Sequence, residues 1–216
     1  MVRCGCCHGA AMIGIWLLSI LGGVSLQGPA QELVKRPSRV LIAGTSGSGK
    51  TSLAATIANA AALPHTEIDA LFHGPRWVPR PSFESDVHRF AAQAAWVTEW
   101  QYGAVRWHLA DRADLMVWLD LPKRIVIRQV VVRTLRRRLC RQRLWNGNLE
   151  PPLWTILRDP DHIIRWAWAT HEKSSARIAQ LLERRPDLPV VRLTSHEEAR
   201  AWVAGPLAQV LRRTSR

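Results

Sequence analysis

Residues 44–51 (GTSGSGKT) constrain this chain more than any other part of its sequence. They match the pattern G-x-x-x-x-G-K-[ST], the Walker A motif, which forms a loop around phosphate groups when a strand precedes it and a helix follows it. Both neighbours are present. Residues 39–43 (RVLIA) read as a short buried strand, and apolar residues at four-residue spacing predict a helix over residues 50–63 that stops at Pro64.

The residue types in this loop suit a triphosphate. Three glycines let the backbone come close enough for successive N–H groups to point at phosphate oxygens, and the helix N-terminus adds its positive dipole end. Lys50 would reach the β- and γ-phosphates, and the Thr51 hydroxyl would ligate Mg²⁺. The sequence therefore predicts ATP and Mg²⁺ as ligands. The residues expected to bind the nucleotide are Gly44, Thr45, Ser46, Gly47, Ser48, Gly49, Lys50, Thr51 and Ser52.

Asp69 is the candidate general base, or the group that orients the acceptor. It follows residues 65–68 (HTEI), which read as a second short strand. Ligands of open parallel sheets sit beyond the carboxyl ends of the strands, so a carboxylate placed there would face the γ-phosphate and the acceptor. The alternative is an aspartate that caps a helix or a turn.

Two further acids follow predicted strands. Residues 95–98 read as a third strand with Glu99 at its end, and residues 113–119 as a fourth strand that ends at Asp120. Either acid could be the Walker-B-like carboxylate that positions Mg²⁺ through water. Glu99 is the favoured metal ligand together with Thr51, but the pattern leaves Asp120 open.

The remaining pattern indicates one main α/β domain. A helix is predicted from Ser82 to about residue 95, a fifth strand over residues 188–193, and a last helix that Ser195 and Glu198 open as a capping box. Strands and helices alternate, and 216 residues are too few for two large domains.

The positive charge of the chain is concentrated in one segment. Thirty Lys and Arg face seventeen Asp and Glu, a net charge of +13, and residues 123–143 hold nine basic residues and no acid. Like charges stacked at four-residue spacing repel one another, so this segment favours an anionic partner. Two sets of residues recur at that spacing. They are an apolar set, Ile127, Val131, Leu135 and Leu139, and an arginine set, Arg133, Arg137 and Arg141.

In a kinase, such a segment would be a lid whose arginines stabilise the charge of the transferring phosphate, with Arg133 and Arg137 as catalytic residues. We name residues 123–150 the lid segment. Two alternatives remain, a solvated basic helix and a nucleic-acid contact strip on which Trp145 and Trp154 would stack bases.

Residues 1–37 are expected to be an extension outside a kinase-like domain at residues 38–216. The apolar stretch at residues 10–26 is similar to a secretory signal or a short membrane anchor, and it also fits a start codon assigned too far upstream. Membrane contact is expected only if this stretch is a real anchor. Because the domain needs ATP and the four cysteines form no disulfide pattern, the expected location is cytoplasmic.

Several motifs together carry a family resemblance. The stretches GTSGSGKTSLA, IDALFHGPRW, AWVTEWQY, ADLMVWLDLPKRIVIRQVVVRTLRRR and LWNGNLE resemble the P-loop NTPases described as FlaR-type DNA topology modulation proteins or adenylate-kinase-like kinases. The resemblance covers about residues 39–193. It implies a three-layer α/β/α fold of the nucleoside-monophosphate-kinase type, with a five-stranded parallel sheet, an Arg-rich helical lid and bound ATP.

The resemblance also implies roles for single residues. Asp69 matches the acid of the family's L-D-A-L-F-H stretch, Arg133 and Arg137 its R-x-x-x-R stretch, and Asn148 with Glu150 its G-N-x-E. The chain departs from the family at residues 96–102, where WVTEWQY stands in place of W-V-I-D-G-N-Y. There Glu99 adds a methylene and Trp100 replaces a glycine, so altered acceptor choice or weakened catalysis is expected.

The sequence thus predicts a P-loop kinase-like phosphotransferase that moves the γ-phosphate of ATP to a small acceptor, a nucleotide or another small molecule. The alternative function is an ATP-binding regulatory protein that contacts nucleic acid through the basic helix.

Overall fold

A single parallel sheet forms the centre of the molecule. The computed structural model describes residues 26–148 and 163–213, without the side chains of residues 163–172. The strands of the sheet are β1 (Leu26–Gln27), β2 (Arg39–Gly44), β3 (Trp96–Glu99), β4 (Leu115–Leu119) and β5 (Val190–Leu193). All pairs are parallel and the order is β1-β5-β4-β2-β3. The loop of residues 44–51, which we name the phosphate loop, therefore leaves the sheet from an inner strand, β2.

Helices connect these strands. They are α1 (Lys50–Ala61), α2 (Ile68–Phe72), α3 (Phe83–Ala91), α4 (Gly103–Arg112), α5 (Lys123–Leu139), α6 (Ile163–Arg184), α7 (His196–Trp202) and α8 (Ala208–Arg213). Short 3₁₀ turns occur at Pro75–Trp77 and Trp145–Gly147. Half of the capping box predicted at the last helix is present, since Ser195 Oγ accepts from the Glu198 N–H. The Glu198 carboxylate accepts from the N–H of Thr194 and not from that of the N-cap residue Ser195.

The helices cover both faces of the sheet, which confirms the predicted three-layer α/β/α fold. Side chains of α3, α4 and α6 pack on one face against Met116 and Trp118 of β4. Side chains of α1, α7 and α8 pack on the other face against Val117 and Leu119. Parallel strands covered in this way are apolar on both sides, which explains the continuous apolar runs that marked the strands in the sequence.

The sheet has five strands, as predicted, but one of the five is not the expected one. Of residues 65–68, His65 makes an isolated bridge to Val97 and Ile68 already begins α2. Backbone hydrogen bonds with Val97 and side chains of β3 hold this segment beside the sheet, although it forms no strand. The Thr98 hydroxyl donates to Thr66 O at 2.7 Å, and the Ile68 N–H donates to the Glu99 carboxylate at 3.1 Å.

The fifth strand comes from the segment expected to lie outside the domain. Leu26–Gln27 pairs with β5, and Leu33 is buried in the core, so the structured part of the chain includes residues ahead of the boundary drawn at Ser38. Residues 1–25 lie outside the described residues, so the expectations for an N-terminal targeting segment stay predictions. Within the described ranges, no helix combines the length and the apolar character needed to cross a membrane.

The helix of the lid segment, α5, forms as predicted but buries a different face. The buried residues are Val126, Val130 and Thr134, whereas Leu139 of the predicted apolar set is 81% exposed. The reason is the neighbour on which α5 packs, since Val130 lies directly against Gly47 of the phosphate loop. Arg141 lies beyond the helix end with a φ of 44°, so it does not continue the predicted arginine row.

Candidate active site

The predicted site residues gather around one cleft of about 910 Å³. Its walls are the phosphate loop, the start of α2, the inner face of α5 and the start of α7. The predicted residues that line it are Ser46, Gly47, Gly49, Lys50, Thr51, Ser52, Asp69, Arg133 and Arg137. Gly44, Thr45 and Ser48 complete the loop behind this surface, and Glu99 is buried beneath it.

The phosphate loop has the backbone conformation that its glycines allow. Gly47 and Gly49 have φ values of 85° and 94°, in the left-handed region that side chains with a Cβ rarely adopt. At Gly47 a Cβ would also collide with Val130 of α5. The loop leads into the first turn of α1, whose N–H groups have no partners within the helix. This arrangement fits the phosphates of a nucleotide.

Lys50 reaches this loop from inside the protein. Its side chain is buried, and Nζ donates to Thr45 O at 3.0 Å. Burial lowers the pKa of Lys50 to about 8, while the charges of Asp69 and Glu99 act in the opposite direction and Arg133 adds to the lowering. A bound phosphate would supply the negative charge that the buried ammonium group lacks.

The affinity for Mg·ATP should fall as the pH rises from about 7 to about 9. Without nucleotide, the pKa of Lys50 is about 8, so raising the pH deprotonates the group that the phosphates need. If bound phosphate restores an ordinary lysine pKa, the dissociation constant should rise about tenfold over this interval. Isothermal calorimetry at both pH values measures this change.

A Lys50→Arg variant is the matched control, because its guanidinium stays charged over the whole interval. Its affinity should be nearly independent of pH, whatever its absolute value. An equal decline in both proteins would assign the pH dependence to another group.

Glu99 and Thr51, the predicted metal ligands, lie next to each other. Glu99 is 1% exposed, and its carboxylate accepts from the Ile68 N–H and is stabilised by the Thr51 hydroxyl. His65 Nε2 lies 3.6 Å from Oε1 of Glu99. Burial tends to raise the pKa of Glu99, but these polar contacts outweigh it and the pKa is lowered. The site therefore contains an ionised carboxylate beside the hydroxyl of the phosphate loop.

Asp120, the other acid considered for this role, is engaged elsewhere. Its Oδ2 accepts from Nε of Arg192 at 2.8 Å and from the Nη2 of the same guanidinium. Arg192 belongs to β5, and its guanidinium also lies 5.3 Å from the ring centroid of Trp118. An arginine therefore balances the charge of Asp120, whereas Glu99 faces Thr51.

Glu99→Gln should raise the Mg²⁺ concentration that gives half-maximal phosphoryl transfer by about tenfold, because the amide is a weaker ligand for a hard cation than a carboxylate. The amide oxygen can still accept from the Ile68 N–H, so the fold should persist. Asp120→Asn is the matched control and should leave the Mg²⁺ dependence unchanged. The reverse pattern in Mg²⁺ titrations of the two variants would identify Asp120 as the metal acid.

Asp69 lies in the first turn of α2 and faces the cleft. Its Oδ1 accepts from Gln101 Nε2 at 3.0 Å and from the Tyr102 hydroxyl at 2.6 Å. Burial, followed by the charge of Asp69, raises the pKa of Tyr102 far above its usual range, so the phenol stays protonated and donates. Two donors thus hold one oxygen of Asp69, and among the described residues none donates to the other.

The structure adds site residues that the sequence analysis missed. Gln101 and Tyr102 follow Glu99 at the end of β3, where the same strand-end rule could have identified them. His196, at the start of α7, approaches Gly49 and is hydrogen-bonded to Gln129 of α5. No local signal marks His196 or Gln129, because packing between distant segments brings them together.

Comparison with solved structures found several kinases. The chain is similar to a gluconokinase from Sinorhizobium meliloti 1021, with 20% identity, 84% of this chain and 97% of the other covered, and a TM-score of 0.45. It is also similar to a shikimate kinase from Bacteroides thetaiotaomicron (17% identity, 82% and 99% covered, TM-score 0.44). A shikimate kinase from Acinetobacter baumannii in complex with shikimate gives 14% identity, 83% and 96% covered, and a TM-score of 0.45.

No protein-family model and no curated protein sequence matches the chain. The resemblance to the FlaR-type family is not confirmed by the matched structures and stays a prediction. Identities and TM-scores this low do not identify a substrate.

Proposed function

We propose that this chain is an ATP-dependent phosphotransferase that requires Mg²⁺ and transfers the γ-phosphate of ATP to a small acceptor. The observation that carries the proposal is the convergence of four kinds of group on one cleft. They are the buried ammonium of Lys50, the carboxylate of Asp69, the Thr51 and Glu99 pair, and the arginines of α5. Phosphoryl transfer needs chiefly positioning and charge stabilisation, and these groups supply both.

Each group has a distinct role in this proposal. The loop N–H groups and Lys50 hold the phosphates, and Arg133 and Arg137 stabilise the charge of the transferring group. Thr51 and Glu99 would hold Mg²⁺, which offsets the negative charge of the β- and γ-phosphates. Asp69 takes the proton of the acceptor hydroxyl while the oxygen of that hydroxyl bonds to the γ-phosphorus. The bond from that phosphorus to the β,γ-bridging oxygen breaks, and ADP leaves. Because ATP is the donor, we also propose a cytoplasmic location.

Two measurements on the full chain test the proposal. Isothermal calorimetry should detect binding of ATP that depends on Mg²⁺, and a coupled assay should detect ADP release that requires an acceptor. Absence of Mg²⁺-dependent ATP binding would contradict the proposal at its first step.

A second candidate function rests on the outer face of α5. Arg124, Arg128 and Arg136 are exposed there, and the helix carries no acid. A regulatory protein that contacts nucleic acid through this face would bind DNA or RNA with an affinity that falls steeply with salt. A kinase should bind either only weakly at physiological ionic strength, so titrations at two salt concentrations separate the candidates.

A further inference from the structure

The wall of the cleft beyond the phosphate loop has a distinct chemistry. The described residues that line it there include Glu67, Asp69, Gln101 and Trp145. Arg143, two residues before Trp145, also lines the cleft and is exposed. Arg80 donates to Asp86 and Ser82, and Arg76 is exposed outside the cleft. We name the four lining residues the acceptor wall. It carries two carboxylates and an indole.

The carboxylates of the acceptor wall each have one oxygen in use and one available. Oδ1 of Asp69 accepts from Gln101 and Tyr102, while Oδ2 accepts no hydrogen bond from the described residues. Oε2 of Glu67 accepts from Trp145 Nε1 at 2.7 Å, and Oε1 is likewise available. The available atoms are acceptors, so they select a ligand that donates hydrogen bonds. A phosphate or carboxylate placed here would meet two like charges.

The indole of Trp145 is fixed in position. Its ring lies stacked with His73 at 5.9 Å between centroids and 21° between planes, and the edge of Trp77 packs nearby. Asn148, three residues later, is buried and joins the lid segment to the loop after α2. Its Nδ2 donates to Gly74 O at 2.9 Å, and its Oδ1 accepts from the Trp77 N–H at 3.2 Å. This gives Asn148 a positioning role, because it fixes the turn that carries Trp145 to the loop after α2.

We infer that the acceptor is a hydroxyl-rich small molecule of the polyol or sugar class rather than a nucleoside monophosphate. Its hydroxyls donate to the available oxygens of Glu67 and Asp69, and its C–H face packs on Trp145. The arginines of α5 that line the cleft, Arg133 and Arg137, would contact the triphosphate of ATP. This inference rests on the proposed function, since it names the class of acceptor for the same reaction. The hydroxyl beside Asp69 loses its proton and becomes the phosphate ester.

The test is a coupled ADP-release assay on the full chain with two panels of acceptors. One panel contains glycerol, D-ribose, D-glucose and myo-inositol, and the other AMP, CMP and UMP. We expect at least one polyol to be phosphorylated with a kcat/KM about tenfold or more above that of every nucleotide. Transfer to a nucleotide with a kcat/KM within about tenfold of the best polyol or above it, or transfer to no polyol of the panel, overturns the inference while Mg·ATP binding still supports the proposed function. Failure to bind Mg·ATP removes the proposed function itself.

Two variants with matched controls locate the specificity. Glu67→Gln and Trp145→Phe should raise the KM for the polyol about tenfold or more and leave the dissociation constant of Mg·ATP within about twofold. The matched controls are Glu84→Gln on α3 and Trp107→Phe on α4, where Trp107 packs against Arg184 of α6. Both residues lie away from the cleft, so neither substitution should change the KM or the dissociation constant. An unchanged KM in both wall variants, or an equal loss of Mg·ATP affinity, overturns the role of the acceptor wall.

Discussion

Replacing Lys50 with methionine is expected to lower the rate of phosphoryl transfer about a thousandfold or more. The ammonium of Lys50 lies buried at the phosphate loop, where a charge interacts more strongly than in water. Methionine fills a similar volume without that charge. Burying the ammonium costs free energy, as its lowered pKa shows, so the variant should unfold within about 3 °C of the original protein.

The control for Lys50→Met is Lys35→Met, which removes an exposed lysine outside the cleft. Its turnover should equal that of the original protein, and circular dichroism with thermal unfolding should show that all three proteins are folded. Retention of a tenth or more of the activity by Lys50→Met would refute the catalytic role of this lysine.

Asp69→Asn is expected to reduce kcat by about 10²- to 10⁴-fold, the range typical for removal of a general base. Asparagine keeps an oxygen that accepts from Gln101 and Tyr102, so the geometry should persist while the charge is lost. The affinity for Mg·ATP should stay the same or increase, because the variant removes a negative charge near the phosphates. Steady-state kinetics and calorimetry together measure this separation of kcat from binding.

Asp111→Asn is the control for the loss of a carboxylate, since Asp111 pairs with Arg184 on the surface. It should leave kcat unchanged. If Asp69→Asn weakened Mg·ATP binding and left kcat unaltered, Asp69 would be a residue of the nucleotide site and not the base.

The fold could be predicted from the sequence wherever its signals are local. The phosphate loop, the helix after it and β2 to β5 each follow from a run of apolar residues, a glycine pattern or a capping box within a few residues. Leu26–Gln27 could not be predicted as a strand, because two residues carry no periodicity and they overlap an apolar stretch typical of a signal sequence.

The face that α5 buries could not be predicted from the sequence either. Val126 and Val130 recur at the same four-residue spacing as Ile127 and Val131, so both faces satisfy the pattern. The contact of Val130 with Gly47 decides between them, and that contact joins segments more than eighty residues apart in the chain.

The amino-acid sequence alone determined the loop between β2 and α1, because its glycine pattern and the signals of the flanking strand and helix lie within a few residues of one another. Only the tertiary structure decided which acid accompanies Thr51. Glu99 is the last residue of β3, which lies beside β2. Asp120 directly follows β4, which lies between β2 and β5, and this position places Asp120 against Arg192 of β5. The charge available to a metal ion depends on these neighbours, and the order of strands in a sheet is set by packing across the whole domain.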